Sequence, residues 1–384
     1  MDLPATAEII IIGGGVMGAS IAYHLLASGQ KDVLLVEKEE FFGQGATGRC
    51  AGGVRYQFAT KVNIRLSLAS LPMLEAFEVE IGQKLPFRKC GYLFLLTQQS
   101  EVDAFSSNVE LQHELGVRTQ WLDGDVVRKR LPMMKLDDVL AGTFHDQEGI
   151  VDPNSVVMGY IQQARRMGLK AITEVEVTGL QTKGAKVRGL QTSRGDVSTP
   201  IVVNAAGPWA GMIGDMVDVS IPIFPVRRQW LTTTPIPRLP QEFPFVIDFS
   251  RSLYFHPEGE GLLTGMSNPD EKTGFDQSID RDWELIHLEA ASARLPLLET
   301  AGVLSRWAGL YEVTPDAHPI FGETPIEGFY ICAGFSGHGF MHGPVSGKLM
   351  SEIILEGKAQ SVDVSMLDLA RFEEDRLIYE TNVV

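Results

Sequence analysis

Cysteine is scarce in this chain of 384 residues. The three cysteines, Cys50, Cys90 and Cys332, lie far apart and show no C-x-x-C spacing. An odd number of scattered cysteines excludes a disulfide framework, a cysteine-rich zinc site and a dithiol redox centre. The histidines are scattered too, and no H-E-x-x-H motif occurs, so we expect no metal.

Positive charge and long apolar runs are also lacking. Asp and Glu number 49 against 33 Lys and Arg, which gives a formal net charge of −16. Nucleic acids and anionic membranes need clustered basic residues, so we expect neither as a partner. No apolar run reaches the roughly 18 residues that span a bilayer, and no signal-peptide pattern opens the sequence. These absences predict a cytoplasmic protein without a membrane span.

Glycine, by contrast, is plentiful, and its most informative cluster is Gly13 to Gly18, directly after the apolar run Ile9–Ile12. Gly13 permits a tight turn out of the first strand, and Gly15 lets the backbone approach a pyrophosphate. Gly18 lets the following helix pack closely on the sheet. The phosphates would bind free N–H groups at the N-terminus of that helix. The pattern predicts a dinucleotide site.

The second strand of this unit, residues 33–36, ends at Glu37. A carboxylate there can accept hydrogen bonds from the two hydroxyls of an adenosine ribose, and it repels a 2′-phosphate. Gly29 is placed to end the intervening helix. These residues predict binding of an adenine dinucleotide, and by themselves they leave NAD and FAD equally open.

The rest of the chain predicts an α/β protein. Periodicity favours helices over about 62–81, 102–115, 153–166 and 344–355, with a loop at 335–341. A buried strand before Ala205 breaks into a small-residue turn, and strand-like alternation in 221–255 predicts an antiparallel sheet. The length exceeds what one core usually supports, and no polar linker divides the chain, so we expect two interleaved domains.

Several separated segments together resemble one family, the FAD-dependent D-amino-acid oxidase superfamily. They are the N-terminal dinucleotide motif, Val202–Trp209, Gly309–Asp316 and Gly334–Phe340. The chain looks most like the group of sarcosine oxidase, its β subunit and the dye-linked proline dehydrogenase β subunit. The resemblance covers nearly the full length.

The resemblance implies an FAD-binding, Rossmann-like domain of the GR2 type with an interleaved antiparallel-sheet substrate domain. It assigns residues 1–85, 145–218 and 305–384 to the FAD-binding domain, and residues 86–144 and 219–304 to the substrate domain. The implied cofactor-binding residues are Gly13, Gly15, Val16, Met17, Gly18, Glu37, Lys38, Arg49, Cys50, Ala51, Val175, Ala206, Gly207, Trp209, Gly309, Gly337, His338, Gly339, Phe340 and Met341.

The resemblance also implies the chemistry, which is transfer of a hydride equivalent from the carbon next to nitrogen to flavin N5, giving an imine. Arg55 is then the natural partner of a substrate carboxylate, and a different cation such as Arg251 is the alternative. Tyr311 matches the sarcosine and proline group, His256 is a candidate for the pocket wall, and Met341 lies where sarcosine oxidases place a carboxylate-binding lysine. Each of these has a plain structural alternative as a packed or solvated side chain.

Two further departures from the family pattern shape the expectations. Gly309 replaces the cysteine that carries FAD covalently in monomeric sarcosine oxidases, so we expect noncovalent FAD. Leu263 stands where the family has a lysine that assists reaction with oxygen. A neutral residue there favours a dehydrogenase, although related glycine oxidases lack that lysine and still use oxygen.

The expected function is therefore oxidation of the CH–NH bond of a small secondary amine or amino acid, sarcosine- or proline-like. The alternatives are an oxidase of primary amino acids such as glycine, and a noncatalytic FAD-loaded assembly or scaffold protein. A pyridine-nucleotide-dependent flavoprotein would need a second dinucleotide motif, which is missing. Both a hetero-oligomer with an electron-accepting subunit and a homo-oligomer remain open.

Overall fold

A computed structural model describes residues 2–384, and its strands form two large sheets and two small ones. In chain order the strands are β1 (Ile9–Ile12), β2 (Val33–Val36), β3 (Gly53–Val54), β4 (Phe87–Arg88), β5 (Tyr92–Leu96), β6 (Gln120–Asp123), β7 (Ala141–His145), β8 (Gly149–Val151), β9 (Lys170–Ile172), β10 (Val177–Thr182), β11 (Val187–Thr192), β12 (Gly195–Ser198), β13 (Ile201–Asn204), β14 (Phe224–Thr233), β15 (Phe245–Asp248), β16 (Leu253–Glu258), β17 (Gly261–Met266), β18 (Val303–Val313), β19 (Ile320–Glu323) and β20 (Phe329–Ala333).

The helices are distributed around both large sheets. They are α1 (Val16–Ala27), α2 (Lys61–Glu75), α3 (Phe77–Ile81), α4 (Gln99–Glu114), α5 (Gly124–Arg130), α6 (Pro153–Arg166), α7 (Ala210–Asp215), α8 (Arg281–Arg294) and α9 (Gly339–Glu356). In residues 2–384 no helix is long and apolar enough to cross a membrane.

The first large sheet has the order β19-β20-β13-β1-β2-β9 and is parallel except for the edge strand β19. Its central strand β1 is buried on both faces, as a run of four isoleucines requires. Ile9 and Ile11 pack against the helices on one face, whereas Ile10 and Ile12 pack towards the small sheet β10-β11-β12 on the other. The dinucleotide motif therefore lies at the carboxyl edge of a fully covered parallel sheet.

The second large sheet has the order β18-β14-β17-β16-β15-β5-β7-β6 and is antiparallel except between β15 and β5. Alternation along β5 separates its two faces. Leu93 and Leu95 belong to the core cluster that includes α8 residues, whereas Tyr92 and Phe94 pack with Trp230 on the opposite face. That second, aromatic face is the one that meets the candidate site.

One predicted helix, 153–166, has the expected bounds, whereas the helix predicted over 102–115 begins three residues earlier and forms α4 (Gln99–Glu114). Residues 153–166 form α6, with the Asp152 carboxylate accepting a hydrogen bond from the backbone N–H of Ser155. Gly29, at φ +99°, follows the end of α1 as expected. The predicted helix over 62–81, however, is divided into α2 and α3 at Ala76, and α2 contains Pro72 in its last turn.

The prediction for the last helix was wrong at its start. We expected Pro344 in the first turn, yet α9 begins at Gly339 and contains Pro344 in its interior. Close packing explains the difference, because a Cβ at Gly343 would lie 2.5 Å from a methyl of Val16. Contact with α1 therefore outweighs the local preference of proline, and residues 339–341 belong to the helix and not to a loop.

The division into two domains remains a prediction. The second large sheet takes its strands from residues 92–145, 224–266 and 303–313, so it draws on three separate stretches of the chain.

Candidate active site

Two neighbouring cavities lie between the sheets, and we call them the large cavity and the small cavity. The large cavity has a volume of about 1340 Å³ and the small one about 610 Å³, counting space that is open to solvent. Both are lined by Cys50, Tyr311, Gly337 and Phe340, which therefore form a common wall. A long ligand in the first cavity and a small ligand in the second would meet at this wall.

The large cavity begins at the carboxyl edge of the parallel sheet, where β1, β2 and β13 end. Gly13 has φ +105°, and a Cβ there would lie 2.4 Å from the carbonyl oxygen of Ala205. Side chains are therefore excluded from the turn, and Gly15 and Val16 at the start of α1 line the cavity. Gly18 lies behind this wall, since a Cβ there would lie 1.9 Å from the carbonyl oxygen of Gly13.

Glu37 lines the large cavity beside this turn. Its Oε2 accepts a hydrogen bond of 2.6 Å from the backbone N–H of Gly14, and its Oε1 accepts one of 2.9 Å from that of Glu39. Burial raises the pKa of Glu37, while these two hydrogen bonds act in the opposite direction. Each carboxylate oxygen retains a second lone pair for a ligand hydroxyl.

Most of the predicted cofactor-binding residues are brought together here. Those that line the large cavity are Gly13, Gly15, Val16, Met17, Glu37, Lys38, Cys50, Val175, Ala206, Gly207, Trp209, Gly337, Gly339 and Phe340. Lys38 stacks over the ring of Trp209, with Nζ 3.5 Å from the ring centroid. The predicted residues Ala51, His338 and Met341 line the small cavity instead.

Arg49 and Gly309 line neither cavity, although they lie close to each other. The Arg49 guanidinium donates a 2.9 Å hydrogen bond to the carbonyl of Ala308, and a Cβ at Gly309 would lie 2.9 Å from Cβ of Arg49. Trp307 Nε1 donates to the carbonyl of Arg49 at 3.0 Å. These contacts join the glycine-rich segment after β2 to β18, behind the wall that Cys50 forms.

Sequence reasoning missed two polar residues of the large cavity. The Thr47 hydroxyl accepts a hydrogen bond of 3.1 Å from the N–H of Val16, at the N-terminus of α1. The Oε2 atom of Glu312 is buried without a hydrogen-bond partner among the described residues. Burial raises the pKa of Glu312 to about 7, against backbone hydrogen bonds from Gly334 and Phe335.

Arg55 is the cation of the small cavity. It is 5% exposed, and its guanidinium donates hydrogen bonds to the carbonyls of Gln57 and Asn382. In the described part of the chain no carboxylate lies within ion-pair distance of it, and its guanidinium carbon lies 3.9 Å from the ring centroid of Phe58. Burial lowers the pKa of Arg55, and a bound anion would offset that cost.

Aromatic side chains form the other walls of the small cavity. Tyr92, Tyr254 and Tyr311 line it together with Phe245, which stacks on Tyr92 at a centroid distance of 4.1 Å. Burial raises the pKa of all three tyrosine hydroxyls. They are therefore neutral groups, each able to donate or accept a hydrogen bond.

The histidines predicted near the site occupy different positions. His256 lies on β16, fully buried against Phe245, with Nδ1 3.0 Å from the carbonyl of Pro257, and it lines neither cavity. His338 lines the small cavity and contacts the ring of Phe58. Burial lowers the pKa of His338 well below its ordinary value, so this ring is neutral at pH 7.

A buried carboxyl that the sequence did not reveal holds the segment around Arg55. Glu148 accepts hydrogen bonds from the backbone N–H groups of Tyr56 (2.5 Å) and Gln57 (3.1 Å) and from Gln57 Nε2 (2.7 Å). Burial raises its pKa to about 8, while these hydrogen bonds and Arg55 act in the opposite direction. Only tertiary packing brings Glu148 to Arg55, which is why no local sequence pattern indicated it.

The comparisons with known proteins agree with this geometry. A family model described as FAD dependent oxidoreductase (DAO) matches residues 8–353. The chain is 31% identical to dimethylglycine dehydrogenase, mitochondrial, of Rattus norvegicus over 95% of this chain and 45% of that protein. It is 29% identical to sarcosine dehydrogenase, mitochondrial, of Homo sapiens over 96% of this chain and 42% of that protein. The chain thus spans less than half the length of these curated relatives.

Solved structures extend the likeness to the whole chain. The structure of L-proline dehydrogenase from P. horikoshii has a TM-score of 0.90 and 32% identity, and the match covers 98% of this chain and 100% of that one. Glycine oxidase from Geobacillus kaustophilus has a TM-score of 0.86 at 24% identity, covering 96% and 99% of the two chains. The second likeness shows the fold alone.

Proposed function

The chain belongs to the DAO family of FAD-dependent oxidoreductases, and we propose that it oxidises the carbon–nitrogen bond of a small N-alkyl or cyclic amino acid to an imine. Membership confirms the predicted family, fold class and cofactor. It also confirms the coarser expectation of an oxidoreductase of the amino-acid and amine oxidase type. The substrate, the acceptor and the residues that perform the reaction are the proposal.

One observation carries this proposal, which is the buried Arg55 in a wall of aromatic side chains. A guanidinium without a carboxylate partner suits the carboxylate of an amino acid, which it can bind through two hydrogen bonds. The faces of Tyr92, Tyr254 and Tyr311 suit an N-alkyl group beside it. A buried cation beside aromatic faces favours a small, apolar amino acid over an amine without a carboxylate.

The residues of the large cavity fit FAD. Gly13 and Gly15 provide a turn that side chains would fill, and α1 begins at the cavity, with Val16 and Met17 in its lining. The Oε2 atom of Glu312 has no hydrogen-bond partner among the described residues and can accept a bond from a ligand or, when protonated, donate one. We assign to these residues and to Glu37, Lys38, Ala206 and Gly207 the role of holding FAD. When bound, FAD supplies the acceptor for a hydride equivalent.

The chain's own contribution is binding, orientation and exclusion of water. Arg55 would fix the carboxylate, and the tyrosines would hold the nitrogen and its alkyl group near the common wall at Tyr311. His338 is neutral because it is buried, so it adds no positive charge that would repel a cationic amine. Met341, in place of a lysine, leaves Arg55 as the cation that lines this cavity.

We further propose that the reduced enzyme passes electrons to a partner and not to oxygen. Leu263, which is 4% exposed, packs with Trp230 and Tyr254 on the aromatic face of the second sheet, so this position carries no positive charge. A cation would favour formation of superoxide, and its loss disfavours reaction with oxygen. A hetero-oligomer with an electron-accepting subunit would serve this transfer, and a homo-oligomer that passes electrons to a separate carrier is the alternative.

Anaerobic mixing with amino acids tests the proposal. We expect sarcosine, N,N-dimethylglycine or L-proline to bleach the flavin absorbance, and glycine, which lacks the N-alkyl group, to react at least about tenfold more slowly. Reoxidation of the reduced enzyme should be faster with an artificial dye than with air. If none of these compounds bleaches the flavin, a noncatalytic role is the better description, and preferential oxidation of glycine would instead indicate a primary amino-acid oxidase.

A further inference from the structure

The 380–384 segment forms part of the small cavity, a role that no sequence pattern indicated. Val383 and Val384 line this cavity beside Arg55 and Tyr92, and Val384 packs against the aromatic cluster of the second sheet. The segment thus comes from a different part of the chain than the strands that carry the tyrosines.

Glu380 anchors the segment to the start of α2. Its carboxylate accepts hydrogen bonds from the N–H groups of Ala59 (2.9 Å) and Thr60 (3.2 Å), from Thr60 Oγ1 (2.8 Å) and from Asn63 Nδ2 (3.0 Å). A fifth hydrogen bond, of 3.0 Å, comes from the N–H of Asn382. Glu380 is 5% exposed, so this anchor is a built, buried site rather than a surface contact.

Asn382 connects the anchor to the cation of the cavity. Its carbonyl accepts a hydrogen bond from Arg55, and its Oδ1 accepts one of 3.2 Å from Asn108 Nδ2 on α4. The position of residues 380–382 is therefore fixed from three sides. The two valines that follow are held against the cavity by these contacts and not by their own packing alone.

We propose that Val383 and Val384 set the size limit of the substrate, and that Glu380 is the residue that positions them. This rests on the proposed function, because it takes the small cavity as the substrate site. Side chains with two methyl groups occupy space that a longer alkyl chain on a substrate would need. Replacing either valine by alanine should admit such a chain.

Binding of simple carboxylic acids tests the size limit without turnover. Isothermal titration calorimetry with acetate, butyrate and hexanoate on the FAD-loaded protein gives the ratio of the Kd values for acetate and hexanoate. We expect Val383→Ala and Val384→Ala each to raise that ratio roughly tenfold, the factor for burying about two more methylene groups. Val79→Ala is the matched control, because Val79 is 89% exposed on α3.

Glu380→Gln tests the positioning role. The amide keeps the shape of the carboxyl but loses its charge and one acceptor oxygen, so the segment should loosen. We expect the Kd ratio of acetate to hexanoate to rise in the same direction as in the valine variants, at a temperature well below the melting temperature of the variant. A general loss of stability would lower binding of all acids alike and leave the ratio unchanged.

The outcomes separate this inference from the proposed function. If the unmodified protein binds no carboxylic acid, the assignment of the small cavity to an amino acid is wrong. If it binds acetate and hexanoate but both valine variants keep the ratio of the Val79→Ala control within twofold, the cavity takes carboxylates and the 380–384 segment does not set their size.

Discussion

At the scale of single residues, Arg55 is the main electrostatic feature of the small cavity. The buried Arg55 guanidinium donates hydrogen bonds to backbone carbonyls and has no carboxylate within ion-pair distance. A substrate carboxylate would therefore form a stabilising ion pair with it. The nearby carboxyls Glu148 and Glu380 act on Arg55 only at longer range. The charge of Arg55 thus remains available to a ligand.

We expect Arg55→Met to raise KM for the reactive amino acid roughly 100-fold, since two charge-assisted hydrogen bonds are lost. Arg55→Lys should recover only part of this loss, because an ammonium lacks the planar fork. Steady-state kinetics with the artificial dye measures the effect, and Arg65→Met, on the exposed side of α2, is the control. An Arg55→Met enzyme with unchanged KM would exclude carboxylate binding at this residue.

Glu312 provides a pH-dependent prediction at the same scale. Burial raises the pKa of this carboxyl from 4.5 to about 7 in the folded state. Its favourable contribution to folding is therefore complete below pH 4.5 and is lost as the pH rises to about 7, by up to about 3 kcal/mol. Above that pH the contribution no longer changes.

Glu312→Gln removes this titration. The free energy of unfolding of the cofactor-free variant, relative to the unmodified protein, should therefore rise between pH 5 and pH 8. Urea unfolding at several pH values measures it, and taking the difference cancels the titration of the other buried carboxyls, among them Glu148 and Glu37. Glu78→Gln, at an exposed position of α3, should show no such change. A constant difference for Glu312→Gln would mean that the carboxyl is ionised throughout.

At the scale of elements, helix α1 packs against helix α9, and the first residues of both helices line the large cavity. Ser20 Oγ donates a 3.1 Å hydrogen bond to the carbonyl of Pro344, which α9 carries in its interior. A Cβ at Gly347 would lie 2.1 Å from Ser20 Oγ and 2.4 Å from the Ser20 carbonyl carbon. Since the second contact is with backbone, rotation of a side chain cannot relieve it.

Gly347→Ala should therefore destabilise the protein by about 1–3 kcal/mol, the usual cost of overpacking a core. The midpoint of urea unfolding should fall, and FAD should dissociate at lower urea than in the unmodified protein. Gly211→Ala is the matched control, because a Cβ at Gly211 in α7 would meet its nearest atom, the Ile221 carbonyl oxygen, at 3.4 Å. Equal stability of the two variants would show that α9 moves freely against α1.

Sequence patterns predicted the elements whose signals are local. The unit from β1 to β2 follows from an apolar run and a glycine turn, and α6 follows from Asp152, Pro153 and Gly168. The start of α9 could not be predicted in this way, because it depends on Gly343 and Gly347 meeting α1. The spacing of Gly339, Gly343 and Gly347 by four residues is a signal that could have found it.

The residues of the candidate site likewise comprise some that the sequence predicted and others that it did not. The glycines and Glu37 at the end of the parallel strands were predicted because one sequence segment contains them. Glu312 and the 380–384 segment were missed, because only tertiary packing brings them to the cavities. The position of His256 also depends on the register of β16. This register places the imidazole ring against Phe245 and not in a cavity.

At the scale of the whole molecule, β18 joins the two halves of the site. It is the edge strand of the second sheet, and it carries Leu310 and Glu312 into the large cavity. Tyr311, between them, lines both cavities. One strand therefore connects the two cavities, and Gly309 on the same strand has no side chain that could bond to a flavin.

At this scale we therefore expect the folded protein to bind FAD noncovalently. Cys50 is the cysteine that faces the large cavity, and burial raises the pKa of its thiol to about 12, so no thiolate forms at neutral pH. Cys90 and Cys332 line neither cavity. We expect precipitation with acid to leave more than about 95% of the flavin in solution, and denaturing gels to show no fluorescence on the polypeptide. Fluorescence that migrates with the chain would mean that a covalent bond forms, and digestion with a protease followed by isolation of the flavin peptide would then identify its residue.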